Sequence, residues 1–193
     1  MSFQNIEKKL SEFSVETNNV VTDANKEIRA FESLLGKELP RDYRKFLSKF
    51  GECYFSSKKS SNDLDYDVCY TPVEKDPWMG DDETQLLEIF YGLGGNERDI
   101  RNVLSTYSDR FPRHIIAIAA SAGGNEICLD LNNGNVLFWD HESSNDKEFY
   151  LVANSFEDFI LSFDDEVIED SDSSPEIEIL NNDFAKALFE NGK

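Results

Sequence analysis

Apolar residues recur along this chain with two distinct periods, and each change of period marks a change of element. Phe3, Ile6, Leu10 and Phe13 fall on one helical stripe, which Thr17, Asn18 and Asn19 interrupt. Thr22 or Asp23 stands where a cap is needed for a second helix, in which Ile28, Phe31, Leu34 and Leu35 share a face. Gly36 suits the left-handed position that ends such a helix. Pro40 fits the first turn of a third, whose stripe is Tyr43, Phe46, Leu47 and Phe50, and Gly51 stops it. Two helices joined by so short a link must pack closely.

The period becomes two over residues 64–70, which predicts a strand with one buried and one acidic face. Residues 85–92 form a second strand candidate, and 97–109 return to helical spacing through Ile100, Val103, Leu104 and Tyr107. Residues 115–119, 126–131 and 136–139 read as strands, the last two joined by the hairpin residues Asn132, Asn133 and Gly134. Ser155 and Asp158 have the spacing of a capping pair for a helix carrying Phe156, Phe159, Ile160 and Phe163. Beyond Phe163 the composition turns to Asp, Glu and Ser, as in a solvated linker. A short terminal helix with Ile177, Leu180, Phe184 and Leu188 is expected after Ser174 and Pro175. Helices at both ends of a run of strands predict an α+β fold with a single, largely antiparallel sheet and helices packed on one side. The expected division is a helical extension over 1–17, a domain over 18–165 and an acidic tail over 166–193.

Charge narrows the partners. The 193 residues hold 39 acidic and 19 basic side chains, a net −20. Residues 1–50 carry 8 acidic and 9 basic side chains, whereas 164–193 carry 10 and 2. Such a field repels nucleic acid and anionic membranes, whose binding depends on Lys and Arg. A basic protein is the natural partner, although acidity by itself also serves solubility. Cys53, Cys69 and Cys128 have neither CxxC spacing nor neighbouring histidines, so buried free thiols are expected and no zinc site. The N-terminus lacks the pattern of a signal peptide, and no run approaches a membrane span. A reducing cytoplasm is the expected compartment.

Several segments together resemble the SUKH superfamily, in particular its group related to fungal cell-wall assembly and killer-toxin resistance regulators. They are Leu39-Pro40 with Tyr43, Gly51 after the helix, Gly124-Asn125 before a strand, Trp139-Asp140-His141 ending one, and Asn154-Ser155-Phe156 opening the last helix. The resemblance covers most of 28–163. It implies a non-catalytic immunity protein that binds and neutralises a cognate toxin domain, with no cofactor and as a monomer. The alternative it allows is a regulatory or scaffold adaptor.

Other constellations carry less. Gly92-Leu93-Gly94-Gly95 begins like a dinucleotide fingerprint, but Glu97 occupies the third glycine position and would face the pyrophosphate. Asp63, Asp65 and Asp67 with Glu74 have calcium-loop spacing, yet Val68 replaces the required glycine and a strand explains the alternation. His114 and His141 are too few for most zinc sites; His141, as a general base, is the basis of a distant enzyme reading. The turn Pro77-Trp78-Met79-Gly80 is set among Asp76, Asp81, Asp82 and Glu83, a combination of aromatic anchor and charge that interfaces favour. The bland alternative is that Trp78 folds back onto the sheet edge. The expected partner-facing set is Asp76, Trp78, Asp81, Asp82 and Glu83, joined by the acidic strand face of Asp63, Asp65 and Asp67.

Overall fold

Fully buried aromatic rings hold a helical layer against one sheet. The computed structural model describes residues 3–18, 21–58, 66–143 and 147–167. They form α1 (Gln4–Leu10), β1 (Ser14–Asn18), α2 (Ala24–Leu35), α3 (Arg41–Phe50), β2 (Glu52–Ser56), β3 (Tyr66–Tyr70) and β4 (Gln85–Phe90). Then come α4 (Ile100–Thr106), β5 (Ile115–Ser121), a 3-10 turn (Ala122–Gly124), β6 (Asn125–Asp130), β7 (Val136–Trp139), β8 (Phe149–Ala153), α5 (Phe156–Leu161) and β9 (Phe163–Val167). The strands make one antiparallel sheet in the order β1-β2-β4-β5-β6-β7-β8, with β3 pairing both β4 and β9. This is the expected α+β class, a single largely antiparallel sheet with helices packed on it.

Local chemistry explains the helix ends. Asp23, of the two candidates, caps α2 by accepting the Lys26 N–H at 3.0 Å, and Gly36 closes the helix at φ 66°. Ser155 accepts the Asp158 N–H at 3.0 Å and donates to the Asp158 carboxylate at 2.7 Å, the reciprocal pair expected for α5. Glu32 ties α2 to α3, accepting the Leu39 N–H at 3.0 Å with Arg44 3.5 Å from its other oxygen. The Phe46 ring of α3 lies 4.6 Å from Phe90 of β4 and 5.2 Å from Phe156 of α5. Phe159 and Phe163 extend this cluster, 5.1 Å apart.

Four strands went unforeseen. β1, β2 and β8 were not expected, and the residues after Phe163, expected as linker, continue as β9 through Val167. β1 is mostly exposed and pairs with β2 along its whole length, so main-chain bonds define it more than any apolar alternation. β9 is held the same way, pairing Phe163 with Tyr70 and Val167 with Tyr66. The boundary expected at residue 18 falls at the end of β1. The segment expected as an extension joins the core: Ile6, Leu10 and Phe13 are buried, and α1 packs on α5. The terminal helix expected after Pro175 lies outside the described residues.

A chain starting at residue 18 loses those three side chains and an edge strand. Burying each side chain contributes about 1.5–3 kcal/mol, so the loss rivals the roughly 5–15 kcal/mol that holds a typical domain folded. The shortened chain is expected to lose its cooperative urea transition at 25 °C, and Ile6→Ala to cost about 2–4 kcal/mol. A midpoint unchanged in both would show that α1 is peripheral.

Candidate partner-binding site

Asp76 shapes the turn before β4 from inside. It is buried, accepts the Trp78 N–H at 2.8 Å and receives the Gln85 side-chain amide. Gln85 in turn accepts from the Tyr70 hydroxyl at 3.2 Å and the Ser121 hydroxyl at 3.4 Å, which ties the turn to β3 and β5. Burial raises the Asp76 carboxyl above its ordinary range, against the Trp78 backbone bond that lowers it. Met79 is buried as the apolar peg of the turn. Asp76, expected among the partner-facing carboxylates, is thus directed inward and occupied.

Trp78 does neither of the two things expected of it alone. The residue is 47% exposed, yet its indole N–H donates to Asp140 at 2.9 Å and its plane stacks at 16° on His141. It also covers Gly123, where a Cβ would stand 3.7 Å from the indole. Asn125 orients His141: its amide nitrogen donates to the Ala122 carbonyl at 2.9 Å, so its oxygen faces the His141 backbone N–H at 3.1 Å and Nδ1 at 2.9 Å. Nδ1 is thus placed to donate to that oxygen, and Nε2 faces Glu142 at 3.7 Å. Asp81, Asp82 and Glu83 are exposed beside this platform. The structure brings these three together with Trp78; Asp63 and Asp65 lie outside the described residues, and Asp67 sits in β3 opposite Glu166 of β9.

The Gly92–Gly95 loop is filled by the chain itself. Asp99 accepts N–H groups from Gly95 at 2.8 Å and Arg101 at 2.9 Å, and the Arg101 guanidinium grips its carboxylate at 2.7 Å. The amides a pyrophosphate would need thus serve an internal carboxylate. Gly92 is there because β2 passes so close that a Cβ would meet the Glu52 nitrogen at 2.5 Å. The three cysteines are buried free thiols.

A second polar feature went unseen in the sequence. Glu126 on β6 is 4% exposed and accepts from the Tyr91 hydroxyl at 2.8 Å and the Tyr107 hydroxyl at 2.9 Å. Its one signal was a carboxylate directly before the apolar run Ile127-Cys128-Leu129. Burial lifts its pKa to about 7, the two phenols pull it back, and Glu88 pushes it further up. Tyr107 rises to about 12, chiefly through burial and then the Glu126 charge. Trp78, His141, Trp139 and Tyr107 form a run of neighbouring rings, with successive centroids 6.3, 6.4 and 5.0 Å apart, that links the two features.

A family profile described as SMI1-KNR4 cell-wall, SUKH_6, matches residues 25–160. The chain belongs to the SUKH family. It is also similar to the SPbeta prophage-derived uncharacterized protein YokK of Bacillus subtilis strain 168, with 54% identity over 172 residues covering 88% of this chain and 90% of that protein. SUKH membership is compatible with an immunity-type protein, and SUKH proteins are generally non-catalytic. The profile spans the Trp78 platform and the Glu126 cluster, whereas α1, β1 and β9 lie outside it. No helix among the described residues is long and apolar enough to cross a membrane.

Glu126 makes stability depend on pH in a defined direction. Its folded-state pKa of about 7 lies above the ordinary glutamate value of about 4.3, so the folded state binds the proton more tightly. That contribution is complete below about pH 4 and is lost as pH rises through 7. Relative to Glu126→Gln, the parent is expected to lose on the order of 2–3 kcal/mol between pH 4 and pH 8. Urea unfolding of both across that range decides it; a constant difference means the carboxylate titrates normally.

Proposed function

We propose that this chain is a cytoplasmic immunity protein that binds and neutralises a cognate basic toxin domain, of nuclease chemistry, from a bacterial contact-dependent or polymorphic toxin system. The observation that carries the reading is the Trp78 platform. An aromatic ring nearly half exposed is fixed from below by Asp140 and His141 and bordered by the exposed Asp81, Asp82 and Glu83. A ring held in place before binding loses little freedom on docking, which favours a hot spot. SUKH membership supports the immunity class, and the net −20 supports a basic partner, since a toxin domain built to grip phosphate presents Lys and Arg. Neutralisation is by occupancy, one protein on one toxin domain, without turnover.

Asp76 takes a positioning part in this scheme, and the partner-facing set becomes Trp78, Asp81, Asp82 and Glu83. The family description, SMI1-KNR4 cell-wall, favours as second reading a regulatory adaptor using the same platform. The two separate on toxicity: an immunity protein restores growth to cells expressing the captured partner, and an adaptor does not.

The partner retained by affinity capture from the native cell supplies the quantitative test. Its association rate is expected to fall about tenfold or more from low to high salt, because exposed charges are screened beyond about 8–10 Å at physiological ionic strength, while dissociation changes much less. Trp78→Ala is expected to weaken binding by about 2 kcal/mol, near thirtyfold, with folding intact by circular dichroism. A salt-independent association rate removes the steering argument. A folded Trp78→Ala protein that binds like the parent moves the interface elsewhere.

A further inference from the structure

The hollow beside α4 holds a buried carboxylate that meets no cation among the described residues. It is an open depression of about 240 Å³ between β4, β5, β6 and α4, with Ile89, Val103 and Ala120 on its walls, the exposed Glu88 and Glu97 at its rim and Glu126 among the residues lining it. Glu126 is nine-tenths buried, and its partners, Tyr91 and Tyr107, are neutral phenols. Arg98 also borders the hollow, but it lies 3.7 Å from the buried Glu52, with which it pairs. A buried carboxylate without a counter-charge is costly. A structure that retains one beside an open hollow has kept a place for a cation brought from outside.

The geometry points to a receptor for a single arginine or lysine side chain of a protein partner, seated in this hollow with its charge toward Glu126 and Glu88. The walls decide between a side chain and a free metal ion. A cation carried on an aliphatic stem matches Ile89, Val103 and Ala120, whereas a metal needs several converging oxygens, and no group of three His, Cys, Asp or Glu among the described residues is arranged to supply them. The ring run from Trp78 to Tyr107, in centroid steps of 6.3, 6.4 and 5.0 Å, connects the hollow to the platform, a span that one basic partner covers when it stacks on Trp78 and inserts a cation here. The inference rests on the reading of the chain as a binder of a basic protein, and names what that protein inserts. The carboxyl's raised pKa fits: an arriving cation would convert a poorly tolerated charge into a paired one.

The test needs no toxin, so its failure leaves the immunity reading standing. Nα-acetyl-arginine amide is titrated into the full chain at pH 8 while the ring signals of Tyr91 and Tyr107 are followed by NMR, with Nα-acetyl-citrulline amide as the neutral probe of similar length. Saturable shifts centred on these rings are expected for arginine and none for citrulline. Glu88→Gln, an exposed change that leaves the core untouched, is expected to weaken the effect about threefold, within the range of an exposed ion pair, and Glu126→Gln to abolish it. Tyr107→Phe serves as the second interior variant if Glu126→Gln fails to fold, and is expected to weaken it too. Equal shifts with citrulline, equal binding by the folded variants, or shifts spread unsaturated over the acidic surface would overturn the proposal. Equally strong shifts with calcium ions would do so as well, by making the hollow a metal site.

Discussion

The contact on which the rest depends is the stack of aromatic rings between α3, α5 and the middle of the sheet. Phe46, Phe90, Phe156, Phe159 and Phe163 are all essentially excluded from water and touch edge-to-face or at a tilt, which adds to the free energy of burying them. Phe90 ends β4, so the same contact that fixes the helical layer also fixes the strand that pairs with β2, β3 and β5. The turn carrying Trp78 runs directly into β4 through Gln85, and α4 hangs from its other end through the Gly92 loop. Displacing Phe46 or Phe90 would loosen both candidate surfaces at once.

Carboxylates divide into two groups with opposite duties. Asp76, Asp99, Asp140 and Glu32 are buried and consumed: each receives backbone N–H groups, an indole or a guanidinium, and each pins a turn or a helix end. Asp81, Asp82 and Glu83 stand in water beside an aromatic ring and have charge to offer. Glu126 belongs to neither group, since it is buried yet meets no cation among the described residues. Net charge alone cannot make this division, because it depends on which oxygens the fold has already used.

The helices were legible because their signals are local. Asp23, Gly36, Pro40 and Ser155 act within one turn of their own position, and the α3 stripe of Tyr43, Phe46 and Leu47 follows directly from period 3.6, whereas Leu34, expected on the buried face of α2, is exposed and Phe163, expected on α5, opens β9. The edge strands were not, because β1 and β9 take their order from backbone partners at the far side of a long connection. The acidic sequence of β9 even argued for a linker. In the candidate site, Trp78 was visible as a bulky ring in a charged turn, but its neighbours Asp140 and His141 lie more than sixty positions away and came forward as family marks and, for His141, as a candidate general base, never as partners of Trp78. Asp76 was misplaced for the reverse reason: inward and outward carboxylates look alike in sequence. Glu126 was passed over because Tyr91 and Tyr107 reach it from two other elements.

We propose that a basic protein docks on the Trp78 platform. Amide hydrogen exchange of the full chain, free and saturated with the partner it captures, tests that most directly. Slowed exchange is expected across 76–85, 121–126 and 139–142, with α2 and α3 unchanged. Protection confined to α2 and α3, with the turn around Trp78 exchanging as in the free protein, would contradict it.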